Sequence, residues 1–258
     1  MACFRYLRIL ALLVLSLSVS GNVDAAEPRQ KILFFMTSDI QLYGSGKKTG
    51  VWLDAVSIPY YKLKEAGYDI AMGSINGLRP PIDPRSEQNA GPSASRFLQD
   101  KEAMALFNDT VPLADLKAGS FKAIYLPGGH GALWDHLDNA QLKQLLTQFA
   151  QQGKIIAALD HAVVALAGVT IGDGSLLLKG RNVTGFTHAE ETVLGFADVV
   201  PAYGDVVLGK CGGVVASAAA FTPHAVQDAN LNTGQNPQSA EQLAQMLLKA
   251  LNNYPKEH

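Results

Sequence analysis

The chain has 258 residues, 48% of them hydrophobic and 17% charged, which excludes a disordered or collagen-like protein. Its 21 basic and 23 acidic residues nearly cancel, so it lacks the basic surplus of a nucleic-acid binder. Two cysteines, Cys3 and Cys211, are too few for a disulfide framework or a zinc ribbon.

The first segment reads as an address. Arg5 and Arg8 precede an apolar run from Ile9 to Val19, and Val23-Asp24-Ala25 supplies the small residues of a peptidase site. The expectation is a signal peptide over residues 1–25, cleaved after Ala25, with a single domain over residues 26–258. The apolar run is too short to span a bilayer, so no membrane association is expected once it is removed. Cleavage leaves Cys211 as the one cysteine. An exported chain without cysteine pairs points to a periplasmic or secreted protein.

Beyond it, short apolar runs alternate with helical patterns. Lys31–Thr37, Asp69–Ser74, Phe121–Leu126 and Lys154–Leu159 suit parallel strands covered on both faces. Val51–Ala66 predicts a helix stopped by Gly67, and Ser95–Phe107 predicts a second. Asp138 can cap a third, with Leu142, Leu145, Leu146 and Phe149 on one face. Ser239 starts a last helix with Leu243, Met246, Leu247 and Leu251 inward. This alternation predicts a doubly wound α/β sandwich, mostly parallel, with helices on both faces. The Pro-, Gly- and Ser-rich stretch Asn76–Ser95 reads as a small cap excursion.

Four motifs invite a chemical reading. Gly44-Ser45-Gly46-Lys47-Lys48-Thr49 resembles a phosphate loop, but Gln41 stands where a Walker loop needs glycine and Lys48 where it needs Ser or Thr, so it reads as a flexible loop. Gly128, Gly129, His130 and Gly131 follow an apolar strand, where free backbone N–H groups can bind a ligand or an oxyanion. Asp160-His161 ends another apolar strand among small residues, which fits a nucleophile elbow; composition alone favours the plainer reading, an Asp160 helix cap. Thr187-His188-Ala189-Glu190-Glu191 offers a partner acid for His161 in Glu191, or else a solvated helix start.

These pieces, in this order, resemble the ThiJ/PfpI superfamily of class I glutamine amidotransferase-like proteins. The branch is similar to the heat-shock chaperone and glyoxalase III group. The resemblance is carried by Gly46-Lys47-Lys48-Thr49-Gly50-Val51-Trp52, Pro59-Tyr60, Pro81-Ile82-Asp83-Pro84, Phe97-Leu98-Gln99-Asp100-Lys101-Glu102, Pro127–Gly131, Val183–Thr187 and Thr233-Gly234-Gln235-Asn236-Pro237. It implies a flavodoxin-like fold, often a homodimer. It also implies conversion of 2-oxoaldehydes to hydroxy acids without an added cofactor, with deglycase and holdase activities attributed to the family. Active members carry a cysteine at the elbow, a histidine directly after it and a glutamate on the first helix.

Here the elbow position is Asp160, the next but one is Ala162, and the first-helix glutamate falls on Ala55. Carboxylate is a far weaker nucleophile toward an aldehyde than thiolate. A carboxylate at 55 would crowd one at 160, so the two changes make joint sense. Three readings follow, in order of preference. The first is a binding, stress-related or chaperone-like protein that takes a small-molecule ligand through the old site. The second is a hydrolase or lyase on a carbonyl or ester, using Asp160, His161 and Glu191. The third is a metal site built from Asp160, His188, Glu191 and His130.

Overall fold

The computed structural model describes residues 31–254; the expected signal peptide lies outside the described residues. The strands are β1 (Lys31–Met36), β2 (Gln41–Leu42), β3 (Lys47–Lys48), β4 (Asp69–Ser74), β5 (Val111–Pro112), β6 (Ala123–Leu126), β7 (Ile155–Leu159), β8 (Asn182–Val183), β9 (Val214–Val215), β10 (Ala225–Asp228) and β11 (Leu231–Gly234). The helices are α1 (Leu53–Glu65), α2 (Pro84–Gln88), α3 (Pro92–Gln99), α4 (Lys101–Asn108), α5 (Ala132–Asp135), α6 (Ala140–Gln151), α7 (His188–Leu194), α8 (Gly204–Lys210) and α9 (Ala240–Asn253).

Seven strands form the central sheet in the order β10-β11-β7-β6-β1-β4-β5. Every neighbouring pair is parallel except β10 with β11. The mostly parallel sandwich expected from the sequence is therefore the fold. Alternation along the strands sorts the core into two layers. Leu33, Phe35, Ile124, Leu126, Ile156 and Ala158 face α6, whose Leu142, Leu145, Leu146 and Phe149 are buried as the sequence predicts. Ile32, Phe34, Met36, Tyr125, Ala157 and Leu159 face α1 and α9. Each fully buried Leu or Phe in these layers contributes about 1.5–3 kcal/mol.

Several boundaries depart from the sequence reading. The pattern Ser95–Phe107 is broken in two at Asp100, whose carboxylate accepts the Glu102 and Ala103 N–H groups and so starts α4. The cap of α6 is Asn139, accepting from Gln141 and Leu142, rather than Asp138. Residues 41–48 form a β2–β3 hairpin where a flexible loop was expected. Met246 is only half-buried.

Pro59 lies inside α1 and brings no N–H to the Ala55 carbonyl one turn back. The buried Tyr125 hydroxyl of β6 donates to that carbonyl at 2.7 Å. A sheet residue thus replaces the missing helix hydrogen bond and ties α1 to the strand leading into the glycine turn.

Candidate functional site

The winding order reverses between the parallel neighbours β1 and β6: β4 and β5 are laid to one side of β1, β6 and β7 to the other. Ligands of open α/β sheets bind beyond the strand carboxyl ends near such a switch point. The loop after β6 carries Gly128–Gly131, and the turn after β7 carries Asp160 and His161.

Asp160 has φ 60°, in the left-handed region. A non-glycine residue there costs about 1 kcal/mol, least for Asn and Asp, and marks a sharp strand-to-helix elbow. The helix-cap reading does not hold. The following turn of 3₁₀ helix, Asp160–Leu166, receives no side-chain cap. The carboxylate instead crosses to the glycine turn, where Oδ2 accepts the Gly129 N–H at 2.7 Å. Gly128 must be glycine for this approach, because a Cβ there would meet the Oδ2, Cβ and Cγ atoms of Asp160.

His161 stands at the centre of the buried charges. Its Nε2–H donates to Glu191 Oε1 at 2.8 Å, and its Nδ1 lies 2.9 Å from Asp160 Oδ1. That second contact misses the alignment of a hydrogen bond, so it acts through charge. The ring stacks on Phe186, with centroids 4.2 Å apart. Burial opposes the imidazolium, but the Asp160 and Glu191 carboxylates outweigh it and hold the proton up to about 10. Burial likewise opposes the Glu191 anion, and hydrogen bonds from His130 and His161 outweigh it, lowering its pKa to about 2.

His130 is the opposite case. Arg85 Nη2 lies 3.1 Å from its Nδ1, and a guanidinium only donates, so Nδ1 accepts and the proton sits on Nε2. That Nε2–H points to Glu191 Oε2 at 3.2 Å. Burial and the neighbouring His161 charge push its pKa down to about 4, so the ring is neutral. Arg85 is held in turn by Asp83, with Nε and Nη2 at 2.9 and 2.6 Å from the two carboxylate oxygens. A continuous row therefore runs Asp83–Arg85–His130–Glu191–His161–Asp160–Gly129.

The structure brings Asp160, His161, Glu191, Gly129 and His130 together. Gly131 sits beside them, where a Cβ would press on Thr37 Oγ1 at 2.6 Å. His188 is not among them: it opens α7 on the exposed side, its ring 4.0 Å from that of Tyr203. The metal set of Asp160, His188, Glu191 and His130 is thus not assembled. The set that converges is His130, His161 and Glu191, with ligand atoms within 4.8 Å of one another. It fits a metal poorly: freeing Nε2 of His130 would move its proton to Nδ1, against the Arg85 N–H.

Asp54 lies elsewhere, its carboxylate against Gly91 at the start of α3, and Ala55 is buried against the sheet. Cys211 is a free, half-buried thiol at the end of α8. Glu190, next to Glu191, accepts from Thr187, Phe221 and Asn236 and so pins the loop bearing Phe221.

A cavity of about 100 Å³ opens on Asp160, His161 and His130, with Trp52, Phe186, Leu194 and Phe221 as apolar walls and Arg85 at one side. Sequence reasoning missed Arg85, Trp52 and Phe221. For Arg85 the excursion Asn76–Ser95 and the Asp83-Pro84 helix start were the available signal; for Phe221 there was none.

A doubly wound sandwich with a strained elbow, a glycine turn and an acid–histidine pair at its strand ends defines the class: the flavodoxin-like proteins related to the class I glutamine amidotransferases. A family profile described as "DJ-1/PfpI family" matches residues 54–250. The "Glutathione-independent glyoxalase HSP31" of Saccharomyces cerevisiae is 26% identical over 236 residues, covering 87% of this chain and 99% of its own. The crystal structure of glyoxalase III from Candida albicans matches with a TM-score of 0.80 at 25% identity, over 86% of this chain and 97% of that one. The Rapid Encystment Protein 24 kDa of Francisella tularensis gives 0.82 at 31% identity, over 86% and 99%. The chain belongs to the DJ-1/PfpI family.

Proposed function

We propose that this protein is an exported, ligand-binding member of the family that lacks thiol-dependent glyoxalase chemistry. The observation that carries this is the elbow itself. The side chain at φ 60° is a carboxylate, Asp160, and it already accepts the Gly129 N–H of the glycine turn. A donor suited to a developing oxyanion is thereby occupied by the protein's own charge.

The same geometry weighs against an Asp160–His161–Glu191 hydrolase. A general base must accept a proton, and His161 already holds one up to about 10. His130 has both ring nitrogens engaged, by Arg85 and by Glu191. Cys211 lines no part of the cavity.

Methylglyoxal consumption and lactate formation, with and without prior thiol alkylation, test the reading on the purified protein. The expected result is no alkylation-sensitive lactate. Lactate production abolished by alkylation would overturn it. Export accounts for the charged start, apolar run and Val23-Asp24-Ala25.

A further inference from the structure

Outside the inner cavity lies a second one of about 310 Å³, lined by Leu42, Lys47, Lys48, Pro84, Arg85 and Phe196. Arg85 is the wall common to both. The outer cavity has three cations and no acid in its lining. Lys47 Nζ stands 4.9 Å from the centre of the Phe196 ring, and the Arg85 guanidinium stands 5.3 Å from it. Two positive charges are thus gathered on one buried aromatic ring. Arg85 spends Nε and Nη2 on Asp83 and His130. Among the described residues its Nη1 has no hydrogen bond and neither Lys47 nor Lys48 has an ion pair. The hairpin carrying both lysines is seated by Tyr43 against Trp134, with ring centres 5.4 Å apart.

The inner cavity has the opposite character. Its walls are mostly apolar and its charged groups are already engaged, His161 with Asp160 and Glu191, and Arg85 with Asp83. It has room for about three or four non-hydrogen atoms. The His161 imidazolium there is already answered by Asp160 and Glu191, so the interior offers little to an added anion, whereas an uncharged short tail fits.

We propose that the two cavities together recognise a short-chain monocarboxylate, its carboxylate held in the outer cavity by Lys47 and Arg85 and its uncharged tail entering the inner one past Arg85. This rests on the ligand-binding reading above and names its ligand class. Charge opposite to Lys47 and to the free Nη1 edge of Arg85 supplies the head-group selectivity, and burial of a few methylenes among Trp52, Phe186, Leu194 and Phe221 supplies the rest.

Titration calorimetry with butanoate, butanamide, octanoate and methyl phosphate tests it on the purified wild-type chain and on Lys47→Gln and Lys47→Glu. Butanoate is expected to bind at least tenfold more tightly than butanamide, and to weaken as salt rises. Lys47→Gln should weaken it about threefold and Lys47→Glu about tenfold, with unchanged thermal unfolding. Octanoate should bind no more tightly than butanoate, because the inner cavity is full. Equal binding of acid and amide, no binding of either, or no effect of Lys47→Glu would overturn the proposal. Tighter binding of methyl phosphate would overturn the carboxylate assignment, and a further gain with octanoate would overturn the placing of the tail. The readout is separate from that of the proposed function. Failure of butanoate leaves the methylglyoxal result as it stands, and alkylation-sensitive lactate would refute the earlier reading without touching butanoate affinity.

Discussion

The buried histidines make stability a peaked function of pH, with a maximum near 6.5. His161 has its folded pKa raised from 6.5 to about 10, so its contribution is fully present below 6.5 and is lost as pH rises through about 10. Each pH unit over which the folded chain keeps a proton the unfolded chain has lost is worth about 1.4 kcal/mol, so the whole limb amounts to about 5 kcal/mol. His130 acts on the other side. Its folded pKa is lowered from 6.5 to about 4, so the unfolded chain binds a proton that the folded chain refuses. Stability therefore falls as pH drops from 6.5 to about 4, by up to about 3 kcal/mol. Urea unfolding at fixed ionic strength from pH 4.5 to 9 reads both limbs. Between pH 6.5 and 8.5 the free energy of unfolding should fall by about 2–3 kcal/mol. Glu191→Gln removes one of the carboxylates facing His161 and should flatten that alkaline limb. Stability that is level between pH 6.5 and 8.5, or a limb unchanged in Glu191→Gln, would refute the picture of an imidazolium held between two acids.

Further outcomes follow from single contacts. Tyr125→Phe leaves the Ala55 carbonyl without its 2.7 Å donor and should cost about 1–3 kcal/mol in urea unfolding; in a Pro59→Ala background, where the helix supplies its own N–H, the cost should drop below about 1 kcal/mol. Gly128→Ala drives a methyl into Asp160 and should destabilise by about 2 kcal/mol or more. Asp160→Gly should restore much of that loss, since glycine also suits φ 60°. N-terminal sequencing of protein recovered from its native host should begin at Ala26; soluble cytoplasmic protein beginning at Met1 would count against export.

The layers were legible because parallel strands buried on both faces leave continuous apolar runs, and β4 falls on Asp69–Ser74 as read. What periodicity cannot register is competition from a side chain. Asp100 sits within a helical pattern, yet its carboxylate caps the next turn better than its backbone continues the last. The elbow was legible only in part. Composition favoured a cap at Asp160, since a capping and an elbow aspartate look alike until φ is known. His188 and Glu191 share one short helix, yet His188, its first residue, is exposed against Tyr203 while Glu191 is buried. Glu190 and Glu191 are adjacent acids with different duties, one closing a loop and one pairing histidines. Arg85 reaches His130 across 45 residues of sequence, a separation at which no local pattern speaks.

The elbow carboxylate organises the charges around it. Asp160 draws charge toward itself from two sides, accepting the Gly129 N–H and lying against Nδ1 of the His161 imidazolium, whose Nε2–H goes to Glu191. Ala55, where the family resemblance expects a glutamate, is buried against the sheet with its carbonyl committed to Tyr125. The inner cavity is left with its charges mutually engaged and its walls apolar. Arg85, fixed by Asp83 and turned to His130, is the wall between that space and the hairpin lysines, which have no ion pair among the described residues. Under the proposed monocarboxylate binding, charge selectivity lies at the outer cavity, while the inner one selects by size and by the absence of charge.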